Sequence, residues 1–522
     1  MWLAQFVSNI GGWMQTVGAQ WLMLSLTTSA VPVALIQTAA SVPVLLFAVP
    51  AGAVGDLVDR RRFLLIAQTF MLLAALALGA FALAGVVTPF LLLALIFALG
   101  AGQAWTSPTW QTLQPELVPA SERPQAIALG SVNQNLARAV GPAIGGLLIA
   151  ASSVGSVFLI NAASFLAVIA VIARWRGGER PSSAIAPEHV GEAIRAGARY
   201  VAGSPALRVV LLRATLFVFF ASSIWALLPL TATKRLHLSS GGYGLLLGCV
   251  GIGAVAGAAV LPRLRDRMTP GALLTAASLA VGGLALVLAY VRDTVLVGVA
   301  LGLGGTAWIL ALSTLNSIYQ SSLPAWVKAR GMGFYLIVFQ GGNALGSAAM
   351  GLTAQQAGLS ATLLAAAIGL ALGPLVGLRF RFRTIAPEEL QPAGEWPAPA
   401  YDADETPNGP VMVSVEYRPR PGLEKSFLTA LYDTRWSRRR TGASSWRVWR
   451  DSAEPDRFVE QFVVGSWQEH LRQHERVSAR DQERLNRIRA LTDPERPPVV
   501  THWVAPRIAT GSEPADADPA QA

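Results

Sequence analysis

Inside a long apolar stretch, residues 133–146 read Asn-Gln-Asn-Leu-Ala-Arg-Ala-Val-Gly-Pro-Ala-Ile-Gly-Gly. Three amides and a full charge sit where the flanking residues are apolar. A charge in mid-membrane costs on the order of 2.5–3.5 kcal/mol on insertion scales, so Arg138 needs a partner or a polar cavity. On a helix Gln134 and Asn135 lie four and three residues before Arg138, which gives one polar face. Ala137, Gly141 and Gly145 recur every fourth residue, a spacing that lets another helix approach closely. Pro142 removes a backbone donor and bends the helix. Such a helix is expected to line a path for a small polar or amphipathic solute.

Other polar side chains fall in apolar stretches and extend the candidate path: Asn9, Gln15, Gln37, Asn133, Asn135, Trp225, Asn316, Gln320, Gln340 and Asn343. Each amide could instead be buried and satisfied between helices. No Asp or Glu lies deep in an apolar stretch, and no P-loop sequence is present. No catalytic set is therefore read, and a gradient-driven carrier is the default. His470 and His474 are four apart and could share a metal. However, Arg472 and Arg476 flank them and no carboxylate or thiol is suitably placed, so a solvated or interface helix is read and neither metal nor cofactor is expected. Trp436, Trp446, Trp449 and Trp467 are expected in a core.

The elements that must position these residues follow from composition. The chain has 522 residues, 53% hydrophobic and only 14% charged. Mean hydropathy is +0.46 and the pI about 10.3. Residues 1–383 carry 23 Lys/Arg against 9 Asp/Glu, whereas residues 384–522 carry 18 against 22. The basic surplus thus belongs to the apolar part. It sits in short connections without a basic, aromatic-interleaved face, which excludes nucleic acid as a partner. Cys249 is the only cysteine, so no internal disulfide can form.

About twelve segments of roughly 20 apolar residues are long enough to span a bilayer. They lie near 2–26, 33–55, 63–85, 89–112, 125–150, 154–174, 209–232, 241–261, 270–290, 294–318, 332–356 and 359–379. The chain starts almost inside the first, which suggests a longer native N-terminus. Basic residues gather in alternate connections (Arg60 to Arg62, Arg123, Arg174 to Arg208, Arg263 to Arg267, Lys328 and Arg330), while Thr27–Val31, Gly85–Thr88, Ser152–Ser156 and Gly358–Ser360 are uncharged; Lys234, Arg235 and Arg292 are the exceptions. The positive-inside rule then places both termini in the cytoplasm. Shifting the sequence by 205 aligns Gly52 with Gly257, Pro119 with Pro324, Asn135 with Gln340, Arg138 with Asn343, Gly141 with Gly346 and Gly146 with Gly351. The fold class read is an all-α polytopic membrane protein: twelve transmembrane helices in two six-helix pseudo-repeats, with a C-terminal cytoplasmic α+β domain. Repeated halves of this kind bind substrate at their interface and rock about it.

The expected organisation is a first half over 1–175, a linker helix within 176–208, a second half over 209–383, a linker over 384–409, a domain over 410–505 and a disordered tail over 506–522. In the domain, alternation marks a strand at 411–417, then a helix at 423–436, strands at 445–450 and 457–464, a helix at 468–491 and a strand at 499–504. This β-α-β-β-α-β order is that of a ferredoxin-like domain.

Residues 1–383 resemble the major facilitator superfamily. Gly52-Ala53-Val54-Gly55-Asp56-Leu57-Val58-Asp59-Arg60-Arg61 is similar to its loop motif between spans two and three, with Leu57 and Asp59 departing from it. The resemblance implies that Gly52, Asp56, Arg60 and Arg61 hold a cytoplasmic gate. A plain positive-inside loop would explain the arginines but not Asp56. Gly141, Pro142, Gly145 and Gly146 resemble the fifth-span motif of the superfamily's exporters and antiporters, which implies export. Trp2 to Gly11 and Trp13 to Val17 resemble the bacterial branch that includes the enterobactin exporter and macrolide-efflux proteins. The domain at 410–505 resembles the antibiotic-biosynthesis-monooxygenase-like dimeric α+β barrel group, which implies dimerisation through it. The implied function is export of a drug, macrolide, siderophore or related metabolite across the bacterial inner membrane. Protons are the implied coupling ion, and the lipid bilayer is the other partner. A membrane-anchored enzyme, or a sensor acting through the C-terminal domain, is the alternative.

Overall fold

The computed structural model describes residues 2–57, 59–113, 118–119, 122–175, 190–382 and 409–505, without the side chains of 48–57, 60, 190, 192, 193, 325, 329 and 475 and of scattered positions between 108 and 135. The inter-element segments 176–189 and 383–408 and the tail 506–522, including the expected linker and disordered end, lie outside them. Twelve described helices are 21 residues or longer: α1 (Trp2–Leu26), α2 (Ala30–Leu57), α3 (Arg60–Leu83), α4 (Pro89–Leu113), α5 (Arg123–Ala151), α6 (Val154–Arg174), α8 (Pro205–Lys234), α9 (Ser240–Arg267), α10 (Pro270–Tyr290), α11 (Thr294–Ser321), α12 (Lys328–Ala357) and α13 (Leu359–Arg379). Between α6 and α8 lies the shorter α7 (Val190–Gly203).

Local chemistry sets these ends. Ser153, Ser239 and Thr269 accept from the backbone N–H three residues on and so cap α6, α9 and α10. Pro270 occupies the first helical position of α10, where its missing donor costs nothing. Gly358, at φ +85°, turns the chain between α12 and α13.

Nine of the described helices are apolar and long enough to cross a membrane by length and composition. The three left out are α1, α5 and α12. Among its described residues α5 keeps the shorter apolar run Leu136–Ala151, while α1 and α12 carry candidate amides that lower their apolarity. Large apolar side chains elsewhere point outward, with Phe90 81% and Ile66 71% exposed. In water that surface would be a liability; in lipid it is the contact surface.

The chain divides into two compact units, 1–190 with 206–320 and 332–384, and 191–205 with 321–331 and 385–522. In the first, α5 packs on α1 and α9, α2 on α4, α3 on α6, and α10 on α13.

In the second unit the strands β1 (Val411–Tyr417), β2 (Ser445–Arg450), β3 (Phe458–Val464) and β4 (Val499–Val504) form one antiparallel sheet in the order β2-β3-β1-β4. Val411, Val413, Val415 and Tyr417 face Phe427 and Leu431 of α14 (Glu424–Thr441) and form the core with Phe462, Trp446 and Trp467. The helix expected over 468–491 is two helices, α15 (Trp467–Glu475) and α16 (Ala479–Leu491). Ser478 breaks it: its hydroxyl accepts from the Asp481 N–H while Asp481 accepts from the Ser478 backbone, a capping box. α14 also runs on past the expected Trp436. Trp446 and Trp467 are in the core as expected, but Trp436 and Trp449 are 45% and 48% exposed. Trp449 pairs with Val459 on the sheet face away from the helices.

Candidate functional site

The amides of α1 and α5 meet. Asn9 donates to Asn133 Oδ1 at 2.7 Å and accepts from Gln5, while Asn133 donates to the Trp2 carbonyl. Asn133 is almost wholly buried. Nearly two turns along, Gln15 Oε1 accepts from Asn161 Nδ2 of α6 at 2.6 Å. Asn161, which the sequence reading missed, fits because Gly11 leaves room: a Cβ there would lie 2.3 Å from Asn161 Oδ1. Its signal was an amide at a position between apolar neighbours of α6. The side chain of Asn135 lies outside the described residues, and Gln134 is exposed.

Arg138 rests its guanidinium over the Trp13 ring, 5.3 Å from the centroid. Its Nε is buried without a hydrogen bond, and it makes no ion pair among the described residues. The ring face supplies electrostatic compensation worth about 2 kcal/mol when desolvated, comparable to the cost of the buried charge. Asp56 and Glu116 are acidic residues of the first half that could pair with Arg138 in one state of the cycle; the Asp56 side chain and all of Glu116 lie outside the described residues.

Glycines of α5 set how closely its neighbours approach. A Cβ on Gly141 would meet Trp13 Cβ at 2.6 Å, and one on Gly145 would meet Met14 Cα at 2.9 Å, so both seat α1. Gly146 turns to the other half: a Cβ there would lie 2.5 Å from the Ser240 carbonyl oxygen and 2.8 Å from Gly244 Cα. The repeat counterparts do the same on their side. Gly346 of α12 seats α8, with a Cβ only 2.3 Å from the Phe219 carbonyl, and Gly351 faces Ala34 of α2. The internal repeat is thus a repeat of packing roles.

Polar contacts also join the halves. Gln20 donates to the Trp225 carbonyl at 3.3 Å and accepts from the Tyr243 hydroxyl. Asn343 donates to Ser41 Oγ at 2.9 Å, and Thr38 to the Ala344 carbonyl. Gln355 accepts from Ser29 and from the Ala30 N–H, and Lys234 donates to the Thr28 carbonyl. Most of these lie toward the helix ends joined by the uncharged connections. Gln20 and Tyr243 were missing from the candidate path. Tyr243 sits in a glycine-rich stretch that reads as mere packing.

The remaining candidates are less connected. Gln320 donates to Asn316 one turn before it on α11. Trp225 meets Trp308 edge to face at 5.5 Å. Gln37 and Gln340 are half-buried on α2 and α12. Arg213, also missed, is buried on α8 with its guanidinium 4.0 Å from the Phe382 ring centroid.

Gly52 and Asp56 fall in the last turns of α2 and Arg60 opens α3; the Asp56 and Arg60 side chains lie outside the described residues. Arg61 donates from Nε to the Ile172 carbonyl and from its second nitrogen to the Ala173 carbonyl, neutralising the negative end of α6. Asp59, the departure from the motif, accepts from the Arg62 N–H and caps α3. That bond holds its carboxyl below the usual range.

In the C-terminal domain His470 is buried rather than solvated. Its Nε2 lies 2.9 Å from His502 Nε2 and 3.2 Å from His474 Nε2, while its Nδ1 meets Gln473 Oε1 at 3.3 Å. Burial first, then the neighbouring imidazoles, pushes His470 down to about 3; burial pushes His474 down to about 4. The rings are neutral at ordinary pH. No group of three or more His, Cys, Asp or Glu among the described residues is arranged to hold a metal. Beside them Arg438 and Glu460 form a buried ion pair, in which Glu460 also accepts from Tyr417 and Trp446.

Two helix sets joined by glycine seams, with polar side chains turned inward and apolar ones outward, define a multi-pass membrane carrier. The solved structure of a POT family transporter in complex with 5-aminolevulinic acid shares the fold, with a TM-score of 0.61 at 12% identity over 73% of this chain and 95% of that one. A family model described as transmembrane secretion effector matches residues 1–510, and the chain belongs to that family within the major facilitator superfamily. The multidrug efflux pump Tap of Mycolicibacterium fortuitum is 27% identical over 382 residues, 71% of this chain and 92% of that protein. The staphyloferrin A transporter of Staphylococcus aureus (strain NCTC 8325 / PS 47) is 29% identical over 170 residues, 32% of this chain and 42% of that protein. The protein is a secondary transporter of the efflux class, not an enzyme, which removes the membrane-anchored enzyme.

Proposed function

We propose that this carrier exports amphipathic small molecules, drugs or siderophore-like metabolites, from the bacterial cytoplasm by alternating access. The observation that carries the reading is the α1–α5 site, where buried amides and Arg138 share one helix pair with a glycine seam facing the opposite half. The likeness to a multidrug efflux pump and a staphyloferrin A transporter supports the substrate class. Substrate contacts come from Asn9, Gln15, Asn133, Arg138, Trp225 and Asn343, with Gln37, Asn316, Gln320 and Gln340 from the facing helices. Arg138 attracts an anionic or electron-rich group, and Trp13 holds it in place between turnovers.

The uncharged connections are external and both termini cytoplasmic, following the loop charges. On that orientation the contacts of Gly146 with Gly244 and of Ser29 with Gln355 close the outer side, and the state described is the loading state. The motif of Gly52, Asp56, Arg60 and Arg61 gates the inner side. Protons are the coupling ion, with the proton carrier outside the deep carboxylates, since none is present in a span. The C-terminal ferredoxin-like domain is an accessory module, and its open sheet face with Trp449 and Trp503 supports dimerisation through 410–505.

Metabolite profiles inside and outside cells, with and without the gene and with a protonophore, test the reading. A compound retained inside without the gene and under protonophore supports it. No retained compound, with no change in tolerance across a panel of toxic agents, rejects it.

A further inference from the structure

The compact unit around the C-terminal sheet contains two pieces of chain from elsewhere, 191–205 and 321–331. The first is most of α7, which ends one residue before α8 begins. The second links α11 to α12 and includes a short 3-10 turn, Ala325–Val327. In the sequence α7 reads as a linker helix joining the two halves, and 321–331 as a basic connection.

Their attachment is core-like. Ala196, Tyr200 and Val201 of α7 and Leu323 and Val327 of the second segment are all less than a tenth exposed. Tyr200 meets Trp326 edge to face at 5.5 Å, so the two connectors touch each other. The domain then holds both. The Arg440 guanidinium lies 5.6 Å from the Tyr200 ring centroid, and that of Arg476 lies 4.5 Å from Trp326. Glu469 Oε1 accepts from Arg199 of α7 at 3.2 Å and from Arg476 at 2.8 Å. Gly203 admits the Arg440 backbone, a Cβ there lying 3.4 Å from Arg440 Cβ. A helix of 14 residues is marginal in water by itself, so α7 depends on this docking for its order.

We infer that the C-terminal domain is a permanent clamp on these two connectors and acts on the transport cycle through them. The Tyr200–Trp326 pair, with Tyr200 buried, and the shared carboxylate give a contact that stays closed throughout turnover. A signal received by the domain, whether a ligand or a second copy, reaches the membrane part through α7 and the 321–331 turn. The inference rests on the export reading for its functional half only.

The test uses the full chain in membranes, with Cys249→Ser as background. Gly203→Cys with Arg440→Cys places two Cβ atoms near the roughly 3.5–4.5 Å that a disulfide spans. The pair is expected to oxidise readily, and the oxidised carrier to export at the rate of the reduced one. Tyr200→Ala with Trp326→Ala is expected to expose the α7 amides to hydrogen exchange and to lower export several-fold at unchanged membrane level. Tyr200→Phe, which keeps the ring, is expected to behave as the parent. Failure of the disulfide to form, loss of export on oxidation, or full export by the exposed Tyr200→Ala/Trp326→Ala variant would each overturn the inference. A parent that exports nothing would instead remove the export reading, while crosslinking and amide exchange still report on the clamp.

Discussion

Gly146 and Gly244 face each other across the two halves so closely that a Cβ on either would lie within 2.9 Å of the other's Cα. Backbone atoms, not flexible side chains, occupy that space. Gly251 and Ala139 continue the seam, where the corresponding distance is 2.1 Å. The contact is a surface on which two helices part and rejoin, and it works only while both are bare.

Gly146→Ala and Gly244→Ala should therefore each lower export several-fold, and Gly146→Leu should abolish it. Overpacking of this kind typically costs about 1–3 kcal/mol. Because the cost falls on the outer-closed state, an external thiol probe should label a path cysteine (Gln340→Cys in a Cys249→Ser background) more readily in the variants. Unchanged labelling together with unchanged export would contradict the seam's role.

Asn9 and Asn133 should be coupled. Interhelical hydrogen bonds in membranes contribute about 0.6 kcal/mol on average and up to about 1.7. Asn9→Ala and Asn133→Ala together should cost less than the sum of the single changes, by roughly that amount, in unfolding from mixed micelles. Strict additivity would mean that the two amides do not share a bond.

Arg138→Ala and Arg138→Lys should both lower export while leaving membrane insertion intact. Lysine keeps the charge but loses the planar group that stacks on Trp13. Trp13→Leu should reproduce part of the defect. Normal export by Arg138→Ala would rule out its direct role.

The histidine cluster makes the C-terminal domain acid-sensitive. His470 and His474 are held neutral, at about 3 and 4, below the usual value near 6.5. A base whose folded value is depressed stabilises the fold above its unfolded value and loses that contribution as pH falls. Stability should hold down to about pH 6.5 and then decline toward pH 3–4, followed by tryptophan fluorescence with Trp467 against the cluster. His470→Gln should shallow that decline. The same profile in both would assign acid sensitivity elsewhere.

Glu460 anchors a buried network, so Glu460→Ala should destabilise the domain by about 3–5 kcal/mol, the cost of stranding a buried charge. Arg438, Tyr417 and Trp446 would all lose their acceptor. A melting temperature like the parent's would contradict the assignment.

Much of this was legible in the sequence. Helix ends at Leu26, Arg174, Tyr290 and Arg379 follow from where apolar runs meet charge or turn residues. The packing role of Gly141 and Gly145 follows from a four-residue spacing, and β1 follows from strict alternation. What could not be read depends on residues distant in sequence. Gln20 gains meaning only from Tyr243 and Trp225, more than 200 residues away. The amphipathic face of α7 reads as solvated until Arg440 and Trp326 are brought to Tyr200. The break at Ser478 was visible as a capping box, but the surrounding charged helix pattern masked it.

The most direct test of export is uptake into everted membrane vesicles, whose cytoplasmic face is outside. Vesicles containing the carrier, energised to an acidic interior, should accumulate a fluorescent amphipathic drug, and collapsing the gradient should release it. Arg138→Ala vesicles with equal carrier content should accumulate far less. Equal accumulation with and without the carrier, across drugs and siderophores alike, would contradict the account.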